Sequence, residues 1–271
     1  MPELPEVEVT RIGISDRLCG QSITDVVVRK SLRWPLGVEG RELRGRTIAR
    51  VLRRGKYIIL ELDQGILLLH LGMSGRLFLA ASDQPFGPHD HFDLVTSAGV
   101  LRLCDPRRFG AVVWSASQGV DPARKLLSHL GPEPLDESFD LKGFQRALKA
   151  RRCSVKTALL GGEMVVGVGN IYASEALFRA HIRPTTPCAA IGLVRSRRLH
   201  SAIRDVLQAA IDRGGSTLRD YQDVHGRAGN YQSVAMVYGR AGQTCHRCGG
   251  TVAKIVQNNR STFFCPGCQH V

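Results

Sequence analysis

The sequence predicts an α+β protein of several domains: an N-terminal helix, a β sandwich or barrel, a helical domain and a small cysteine-rich module. Three observations carry this prediction. Short alternating or apolar runs dominate residues 22–114, stretches with helical spacing dominate residues 141–215, and two Cys-x-x-Cys pairs follow residue 244. The 271 residues, 43% of them hydrophobic, are enough for two domains and a small third module.

The first predicted element is a helix that follows the opening MPELPEVE. Proline is tolerated only in the first turn of a helix, so we expect the helix to begin near Pro5, and Gly20 can end it. The predicted apolar face of this helix consists of Leu4, Val7, Ile14 and Leu18.

Seven short runs then predict the strands of the sandwich or barrel. Turn signals such as DQG and SAG separate them. The runs are SITDVVV, TIARVL, YIILEL, ILLLHLGM, FDLVT, VLRLC and AVVW.

A connection rich in proline and acidic residues, GPEPLDES at 131–138, predicts the start of the helical domain. Its helices are expected in LKGFQRALKA, NIYASEALFRAHI and PCAAIGLVRSRRLHSAIRDVLQAAIDRGG. We therefore divide the chain into an N-terminal domain (1–130), a helical domain (131–236) and a C-terminal module (237–271).

The charge of the chain indicates a polyanionic partner. It carries 37 Lys and Arg against 24 Asp and Glu, a formal net charge of +13. A solvated basic surface is an equally good explanation, so charge alone does not decide for nucleic acid. The longest apolar run, GILLLHLGM, is too short to span a bilayer, and the opening lacks the basic and apolar regions of a signal peptide. We expect a cytoplasmic protein without a membrane partner.

The eight cysteines fall into two groups. The first group has no regular spacing and is expected to be buried and reduced: Cys19, Cys104, Cys153 and Cys188. The second group forms two Cys-x-x-Cys pairs whose spacing is that of a four-thiolate zinc site: Cys245, Cys248, Cys265 and Cys268.

The C-terminal module is expected to be a hairpin that one structural zinc closes at its open end. The segment TVAKIVQNNRSTFF alternates apolar and polar residues on both sides of a Gln-Asn-Asn turn. Two disulfides are the alternative, but a cytosolic chain and a module too small for its own core favour zinc. Four thiolates leave no open position for a catalytic water.

Three stretches together resemble one family: the opening, GVGNIYASEALF, and VYGRAGQTCHRCGG with FFCPGC. They resemble the bacterial formamidopyrimidine-DNA glycosylases, which remove oxidised purines from DNA, over residues 2–270. The resemblance implies a β sandwich, a helix-two-turn-helix domain and a zinc finger, with double-stranded DNA in the cleft between. It also implies a bacterial monomer that works at the nucleoid. The chain departs from the family pattern at Val9 and Thr10, which exchange the usual Thr and Val, at Ile12, and at Gly161 and Gly162.

The resemblance implies that the opening segment carries the chemistry. Removal of Met1 would leave Pro2 with a free secondary amine, and an α-amino group has a pKa well below that of lysine. In the family this amine attacks C1′ of the damaged nucleotide, forms an iminium and permits β,δ-elimination. Glu3 resembles the general acid that protonates the sugar ring oxygen, and Glu6 a carboxylate that positions water. A helix start with Pro and Glu placed for capping is the alternative.

The resemblance also implies a set of phosphate contacts. Lys56 in RRGKYIIL matches a lysine that binds the phosphate beside the lesion and assists elimination, and Arg260 lies beside the tip of the predicted hairpin. His70 and Asn170 match further phosphate contacts. Taken alone, Lys56 reads as a solvated lysine and His70 as a core histidine.

Removal of a base from a duplex leaves a hole that the protein has to fill. Met73, Arg107 and Phe109 match the family residues that fill it, with the arginine pairing the orphaned base. The stretch DYQDVHGRAGNY at 220–231 corresponds to a loop that covers the extruded base. Three further residues are candidates for contacts with the DNA backbone: His89, Arg151 and Arg152.

Two other functions stay open at the level of sequence. Glycosylases of the endonuclease VIII type share the Pro-Glu start but prefer oxidised pyrimidines, and PELPEVE with the void-filling residues favours the purine enzymes. A non-enzymatic zinc-ribbon protein that binds DNA would also explain the charge and the cysteines.

Overall fold

The protein is described by a computed structural model, in which residues 2–216, 224 and 226–270 are placed. They form two compact units, which we call unit 1 (Met1–Ser128 and Arg213–Asn230) and unit 2 (His129–Asp212 and Tyr231–Val271). The division into domains at 130/131 and 236/237 stays a prediction. Within the placed residues, we find no helix of the length and apolarity needed to cross a membrane.

Unit 1 begins with helix α1 (Leu4–Leu18), which starts one residue before Pro5. The four predicted apolar residues of this helix are all buried. Gly20 follows the helix with a φ of +81°, a left-handed conformation that suits glycine. The start and the buried face of α1 are therefore as predicted.

Eight strands follow α1 and form two antiparallel four-stranded sheets with the orders β1-β6-β7-β5 and β2-β3-β4-β8. Apolar side chains of both sheets and of α1 share one core, so the N-terminal domain is a sandwich. The strands are β1 (Ile23–Val28), β2 (Ile48–Arg54), β3 (Tyr57–Leu62), β4 (Ile66–His70), β5 (Arg76–Ala80), β6 (Asp90–Thr96), β7 (Gly99–Cys104) and β8 (Ala111–Ser115).

A short helix, α2 (Ala123–Leu127), follows the sandwich in unit 1. The remaining helices belong to unit 2 and surround their own apolar core. They are α3 (Leu141–Lys149), α4 (Val155–Gly161), α5 (Asn170–Arg179) and α6 (Leu193–Asp212). Gly162 ends α4 with a φ of +80°, which explains a glycine at this departure from the family pattern.

The predicted hairpin near the C-terminus is confirmed. Strands β9 (Ala253–Gln257) and β10 (Arg260–Phe264) pair antiparallel, with Arg260 opposite Gln257. Asn258 and Asn259 have φ values of 48° and 59°, and two consecutive left-handed residues are what a tight two-residue hairpin turn requires. Arg260 is thus the first residue after the turn.

Three sequence-based expectations about elements and thiols are wrong. Strand β5 is missed, although RLFLA alternates, and the short helices α2 and α4 are missed as well. The long helix predicted from Pro187 begins only at Leu193, because residues 188–190 form a separate turn of 3₁₀ helix and the first α-helical bond runs from the Ser196 N–H to the Gly192 carbonyl. Cys153 is exposed, Cys19 and Cys104 are half-buried, and only Cys188 of this group is buried as predicted.

Candidate active site and metal centre

The N-terminal residues of unit 1 are held in a capping box at the start of α1. Pro2 is buried, and Glu3, the N-cap residue, is 2% exposed. Glu3 and Glu6 cap each other reciprocally, and the Glu3 N–H donates to Glu6 Oε2 at 2.8 Å. The helix-start interpretation of the opening is therefore correct as local structure, and it holds Pro2 and Glu3 in one place. Met1 lies outside the described residues.

Glu6 connects this helix start to a second segment of unit 1. Its Oε1 accepts the Ser216 N–H at 2.7 Å, and its side chain is buried. Ser216 also forms a bridge with Asn230, and a side chain on Gly229 would meet the Gly215 carbonyl oxygen at 2.4 Å. Residues 215 and 216, just before the predicted covering loop, thus pack closely with Gly229 and Asn230 near the end of that loop, and the Glu6 carboxylate binds this neck. Residues 220–223 and 225 of that loop lie outside the described residues.

Lys56 occupies the turn between β2 and β3, where Arg54 pairs with Tyr57. Gly55 permits this two-residue turn with a φ of +57°. Arg53 donates to the Gly55 carbonyl at 3.0 Å and to Glu8 of α1 at 2.9 Å. Burial raises the pKa of Glu8, but the hydrogen bonds and charges of Arg11 and Arg53 outweigh this and lower it. An ionised Glu8 thus ties the Lys56 turn to α1.

His70 lies beside the same turn, since it pairs with Tyr57 across β3 and β4 and their rings are 4.9 Å apart. Its Nδ1 accepts the Gly72 N–H at 3.0 Å. The imidazole is therefore neutral with its proton on Nε2, a donor suited to a phosphate oxygen. Burial, followed by the charges of Lys56 and Arg33, lowers the pKa of His70 to about 4. The structure thus brings Lys56 and His70 together.

This depressed pKa predicts a loss of stability in acid. The unfolded chain binds a proton at residue 70 below about pH 6.5, whereas the folded chain binds it only below about pH 4. The His70 contribution is therefore fully present above pH 6.5 and is lost as the pH falls towards 4, with a slope of up to about 1.4 kcal/mol per pH unit.

The measurement is urea unfolding followed by tryptophan fluorescence, because both tryptophans, Trp34 and Trp114, lie in unit 1. Between pH 6.5 and 4 the wild type should lose about 3 kcal/mol more than His70→Gln, which can keep an acceptor for the Gly72 N–H. Parallel pH profiles of the two proteins would show that His70 has an ordinary pKa.

The three predicted void-filling residues stand on two neighbouring loops of unit 1. Met73 is 43% exposed and Phe109 42%, unusually high for large apolar side chains. The Arg107 guanidinium lies 5.1 Å from the centroid of the Phe109 ring. Gly72 has a φ of +60°, and a side chain there would lie 2.4 Å from the Phe109 carbonyl carbon. Direct backbone contact at this glycine holds the two loops against each other.

The fully buried Asp105 carboxylate holds the loop that carries Arg107 and Phe109 through hydrogen bonds. It accepts the Gly110 N–H at 2.6 Å and the Ser74 hydroxyl at 2.7 Å. The Arg107 N–H lies 3.3 Å from the same carboxylate. The predicted contact residue His89 is exposed beside this loop, and its carbonyl accepts the Asp105 N–H at 2.8 Å. Asp105 therefore orients the exposed residues of both loops.

In unit 2, Asn170 is the first residue of α5 and lies against the hairpin. Its Nδ2 donates to the Ser261 carbonyl at 3.0 Å and to the Tyr238 hydroxyl at 3.2 Å. The amide cannot be turned round, because Oδ1 would then face the Ser261 carbonyl. A phosphate contact by this side chain requires the exchange of one of these bonds.

Two residues of α4 hold the hairpin close to its tip. Lys156 is 1% exposed and donates to Thr262 Oγ1 at 2.6 Å, and Asn258 donates to Thr157 Oγ1 at 3.0 Å. The Arg260 side chain is exposed beside this anchored turn. Burial of a lysine side chain costs free energy unless its ammonium group is hydrogen-bonded. The bond to Thr262 therefore offsets part of the cost of burying Lys156.

Arg151 and Arg152 differ in their surroundings. Arg151 donates to the Ala147 carbonyl at 2.8 Å and to Glu163 at 3.2 Å, so its guanidinium is already bound within unit 2. Arg152 is exposed and has no carboxylate at ion-pair distance in the part of the chain that the structure describes. Of the two, Arg152 is the better candidate for a DNA contact.

The predicted zinc ligands come together at the end of the hairpin opposite its turn. The Sγ atoms of Cys245, Cys248, Cys265 and Cys268 all lie within 4.8 Å of one another. A tetrahedral zinc with four sulfur ligands requires sulfur atoms about 3.8 Å apart. The Cys245–Cys268 and Cys248–Cys265 sulfur distances are 3.9 and 3.4 Å, so the four thiolates fit one structural zinc ion.

Sequence reasoning missed several residues that build the site: Glu8, Asp105, Lys156, Glu175 and Ser216. Glu175 is buried in α5 and accepts the backbone N–H groups of Met236, Val237 and Tyr238 at 2.8 to 2.9 Å. Each of these residues acts through tertiary contacts. No local spacing pattern marks them.

Family models match three successive parts of the chain. The N-terminal domain of formamidopyrimidine-DNA glycosylase matches residues 1–112, and the H2TH domain of the same enzyme matches residues 130–222. The zinc finger found in FPG and IleRS matches residues 242–271.

Individual proteins match over the whole length. The formamidopyrimidine-DNA glycosylase of Acidovorax sp. (strain JS42) is 55% identical to this chain, and the match covers 99% of both proteins. That of Janthinobacterium sp. (strain Marseille) is 50% identical, and the match covers 99% of this chain and 100% of the relative. The crystal structure of MutM (Fpg) from Thermus thermophilus matches with a TM-score of 0.90 at 41% identity, over 99% of this chain and 98% of that one. A Lactococcus lactis Fpg mutant in complex with DNA containing Fapy-dG has a TM-score of 0.90 at 37% identity, with 100% of both chains covered.

Proposed function

Because this chain belongs to the formamidopyrimidine-DNA glycosylase family, it is a base-excision repair enzyme, and we propose that Pro2 is its nucleophile. It excises oxidised purines such as 8-oxoguanine and formamidopyrimidines from duplex DNA and cleaves the abasic strand. The observation that carries the proposal for Pro2 is its position. The residue is buried directly before α1, next to Glu3, and the Glu6 carboxylate holds the backbone there.

The proposed reaction starts from the neutral secondary amine that removal of Met1 exposes. The nitrogen lone pair attacks C1′ as the bond from C1′ to the base breaks, and the amine proton goes to the departing base. Cleavage of the bond from C1′ to the protonated ring oxygen then leaves the ring-opened sugar attached as an iminium. This cation draws electrons, so loss of a C2′ proton expels the 3′ phosphate, and a second elimination expels the 5′ phosphate. Hydrolysis of the remaining iminium by water returns the free amine.

We assign different roles to the two carboxylates. Glu3 is the general acid, which gives its proton to the sugar ring oxygen while the bond from C1′ to that oxygen breaks. Glu6 accepts backbone N–H groups from Glu3 and Ser216, one with each oxygen, and both groups are in unit 1. These contacts support a role for Glu6 in holding the nucleophile and the neck together more directly than a role in positioning water.

Each unit carries its own proposed phosphate contacts. In unit 1, Lys56 supplies an ammonium group and His70 the Nε2–H of a neutral imidazole. In unit 2, Asn170 and Arg260 lie at the tip end of the hairpin, where Ser261 connects them. We also propose that Lys56 assists the eliminations, because a positive charge beside the departing phosphate stabilises it.

We propose that Met73, Arg107 and Phe109 occupy the space left by the extruded nucleotide. Their exposure and the contact between their loops support this role. Insertion of an apolar side chain into a base stack costs a few kcal/mol of unstacking, which the additional contacts with the bent DNA offset. His89 and Arg152 are proposed as outer contacts with the DNA backbone.

The bound zinc supplies structural cross-linking of the finger and takes no part in the chemistry. The chain's own residues then set the position of Arg260, through the bonds of Lys156, Thr157 and Asn170 to the hairpin. We further propose that the chain has three domains, with boundaries at 130/131 and 236/237. We propose that the enzyme is a monomer that acts at the bacterial nucleoid in the cytoplasm.

The lesion preference tests this function. The trimmed protein is incubated with duplexes that carry one 8-oxoguanine, one formamidopyrimidine or one oxidised pyrimidine, and the cleaved strands are resolved. We expect the two purine lesions to be cleaved much faster, and Phe109→Ala to reduce the discrimination between damaged and intact duplex. Preference for oxidised pyrimidines would assign the chain to the endonuclease VIII type of activity, and binding without cleavage would indicate a non-enzymatic protein.

A further inference from the structure

An open pocket of about 610 Å³ lies in unit 2, away from the residues assigned to DNA. Four arginines line it: Arg179, Arg197, Arg198 and Arg247. The one carboxylate among the lining residues is Asp205, so the pocket carries a large positive excess. In the described residues, neither Arg197 nor Arg198 has an ion-pair partner.

The floor of this arginine pocket is apolar. Phe178, Ala202 and Met236 line it. Met236 is fixed there because its N–H donates to the buried Glu175 at 2.9 Å. Phe178 is 2% exposed and belongs to the small apolar cluster around the cysteines. The pocket therefore combines a charged rim with a rigid apolar base.

Arg247 is held in place at the metal end of the hairpin. Its Nη1 lies 2.6 Å from His181 Nε2, and its guanidinium is 5.7 Å from the Phe178 ring centroid. His181 donates through Nδ1 to the Cys268 carbonyl at 3.0 Å, which leaves Nε2 as the acceptor for the arginine. A preordered guanidinium loses little freedom when it binds an anion.

Two elements separate this pocket from the proposed DNA contacts. Asn170 begins α5 and Phe178 lies near its end, about 12 Å further along the helix axis. Arg260 begins β10 and Cys265 follows its end, about 17 Å further along the strand. Asn170 meets the hairpin at Ser261, beside the tip, whereas Arg247 lies between the cysteines at the other end.

The geometry points to a docking site for another protein: we propose that the arginine pocket binds an acidic peptide segment of a partner, with its carboxylates on the rim and one apolar side chain on the floor. Guanidinium groups bind carboxylates with two parallel hydrogen bonds. Arg, Met and aromatic residues are also the types enriched at the centres of protein interfaces. A DNA duplex would satisfy the rim but offers no apolar side chain to pack on Met236, the half-buried residue of the floor.

The test measures the fluorescence anisotropy of a labelled peptide, Asp-Asp-Leu-Asp-Asp, titrated with the full zinc-loaded chain. We expect saturable binding that becomes about tenfold weaker in the double variant Arg197→Ala/Arg198→Ala, because two exposed ion pairs together are worth about the 1.4 kcal/mol that corresponds to a tenfold change in affinity. The control Lys142→Ala/Arg146→Ala removes the same charge from exposed residues of α3 and should bind like the wild type. A peptide with serine in place of leucine should also bind about tenfold more weakly.

Strand cleavage should be unchanged in both double variants, which shows that they fold and separates this proposal from the glycosylase mechanism. Absence of peptide binding, equal losses in the two double variants, or equal affinity for the leucine and serine peptides would overturn the proposal. Displacement of the peptide by an intact duplex, together with weaker duplex binding by Arg197→Ala/Arg198→Ala, would instead identify a nucleic-acid surface.

Discussion

A form of the enzyme that keeps Met1 should bind damaged duplex DNA and leave it uncut. Acylation by Met1 turns the Pro2 nitrogen into an amide, whose lone pair is delocalised into the carbonyl and cannot attack C1′. The expected loss is the whole of the covalent pathway, so cleavage falls by several orders of magnitude. The form is prepared with methionine aminopeptidase inhibited, its mass is verified, and its cleavage of an 8-oxoguanine duplex is compared with that of the trimmed enzyme.

Two variants separate the amine from the acid in this step. Pro2→Gly supplies a primary amine at the same position and should keep partial activity, because the greater freedom of glycine misplaces the nitrogen. Glu3→Gln removes the acid and should prevent base excision, while a pre-formed abasic site is still cleaved to some extent. Full cleavage by the Met1-retaining form would contradict the assignment of Pro2.

Removal of zinc should abolish DNA binding while the sandwich stays folded. Binding energy at a structural four-thiolate site is largely folding energy of the module. Without zinc the hairpin unfolds. Asn170 then loses its bond to the Ser261 carbonyl, and the buried Lys156 loses its bond to the Thr262 hydroxyl. We expect chelation and Cys248→Ser to weaken binding by more than about a hundredfold, since several phosphate contacts disappear together.

Tryptophan fluorescence again isolates unit 1, because both tryptophans lie there, and the urea midpoint of this signal should not change on chelation. The matched control is Cys153→Ser, the same substitution at an exposed cysteine outside the cluster. It should bind DNA like the wild type. Normal DNA binding by Cys248→Ser would show that the finger needs no metal to place Arg260.

The sequence predicted those parts of the fold that depend on local periodicity. The apolar face of α1, seven of the eight strands of the sandwich and the turn at Asn258 and Asn259 follow from spacing and from residues that suit left-handed backbone. Strand β5 was missed although RLFLA alternates, and it is a five-residue strand at the edge of its sheet. The start of α6 was placed too early because Pro187 suits a first helical turn. Residues 188–190 form only a turn of 3₁₀ helix, and α6 begins after Gly192.

The candidate site was predictable only where the family resemblance named a residue. Pro2, Glu3 and the four zinc ligands belong to short motifs, so their positions can be carried over one by one. Asp105 and Glu175 are different, because an isolated carboxylate in a sequence reads as a surface residue until its buried backbone partners are known. The same holds for Lys156, whose partner Thr262 is 106 residues away.

Glu6 shows how one residue can serve both interpretations of the opening. The capping alternative correctly describes its bond to the Glu3 N–H, and the catalytic interpretation requires the same bond to hold Pro2 in place. Its second bond, to Ser216 some 210 positions away, could not be read from spacing. Local capping and long-range positioning are thus two functions of one buried carboxylate.

The most direct test of Pro2 as the nucleophile is to trap the covalent intermediate and locate it. The trimmed enzyme is mixed with a duplex containing 8-oxoguanine in the presence of borohydride, which reduces an iminium to a stable amine, and the crosslinked protein is digested and sequenced by mass spectrometry. We expect one crosslink, between C1′ of the damaged nucleotide and the nitrogen of residue 2. A crosslink at Lys56 or at any other lysine would contradict it and would leave the opening segment as a helix cap alone.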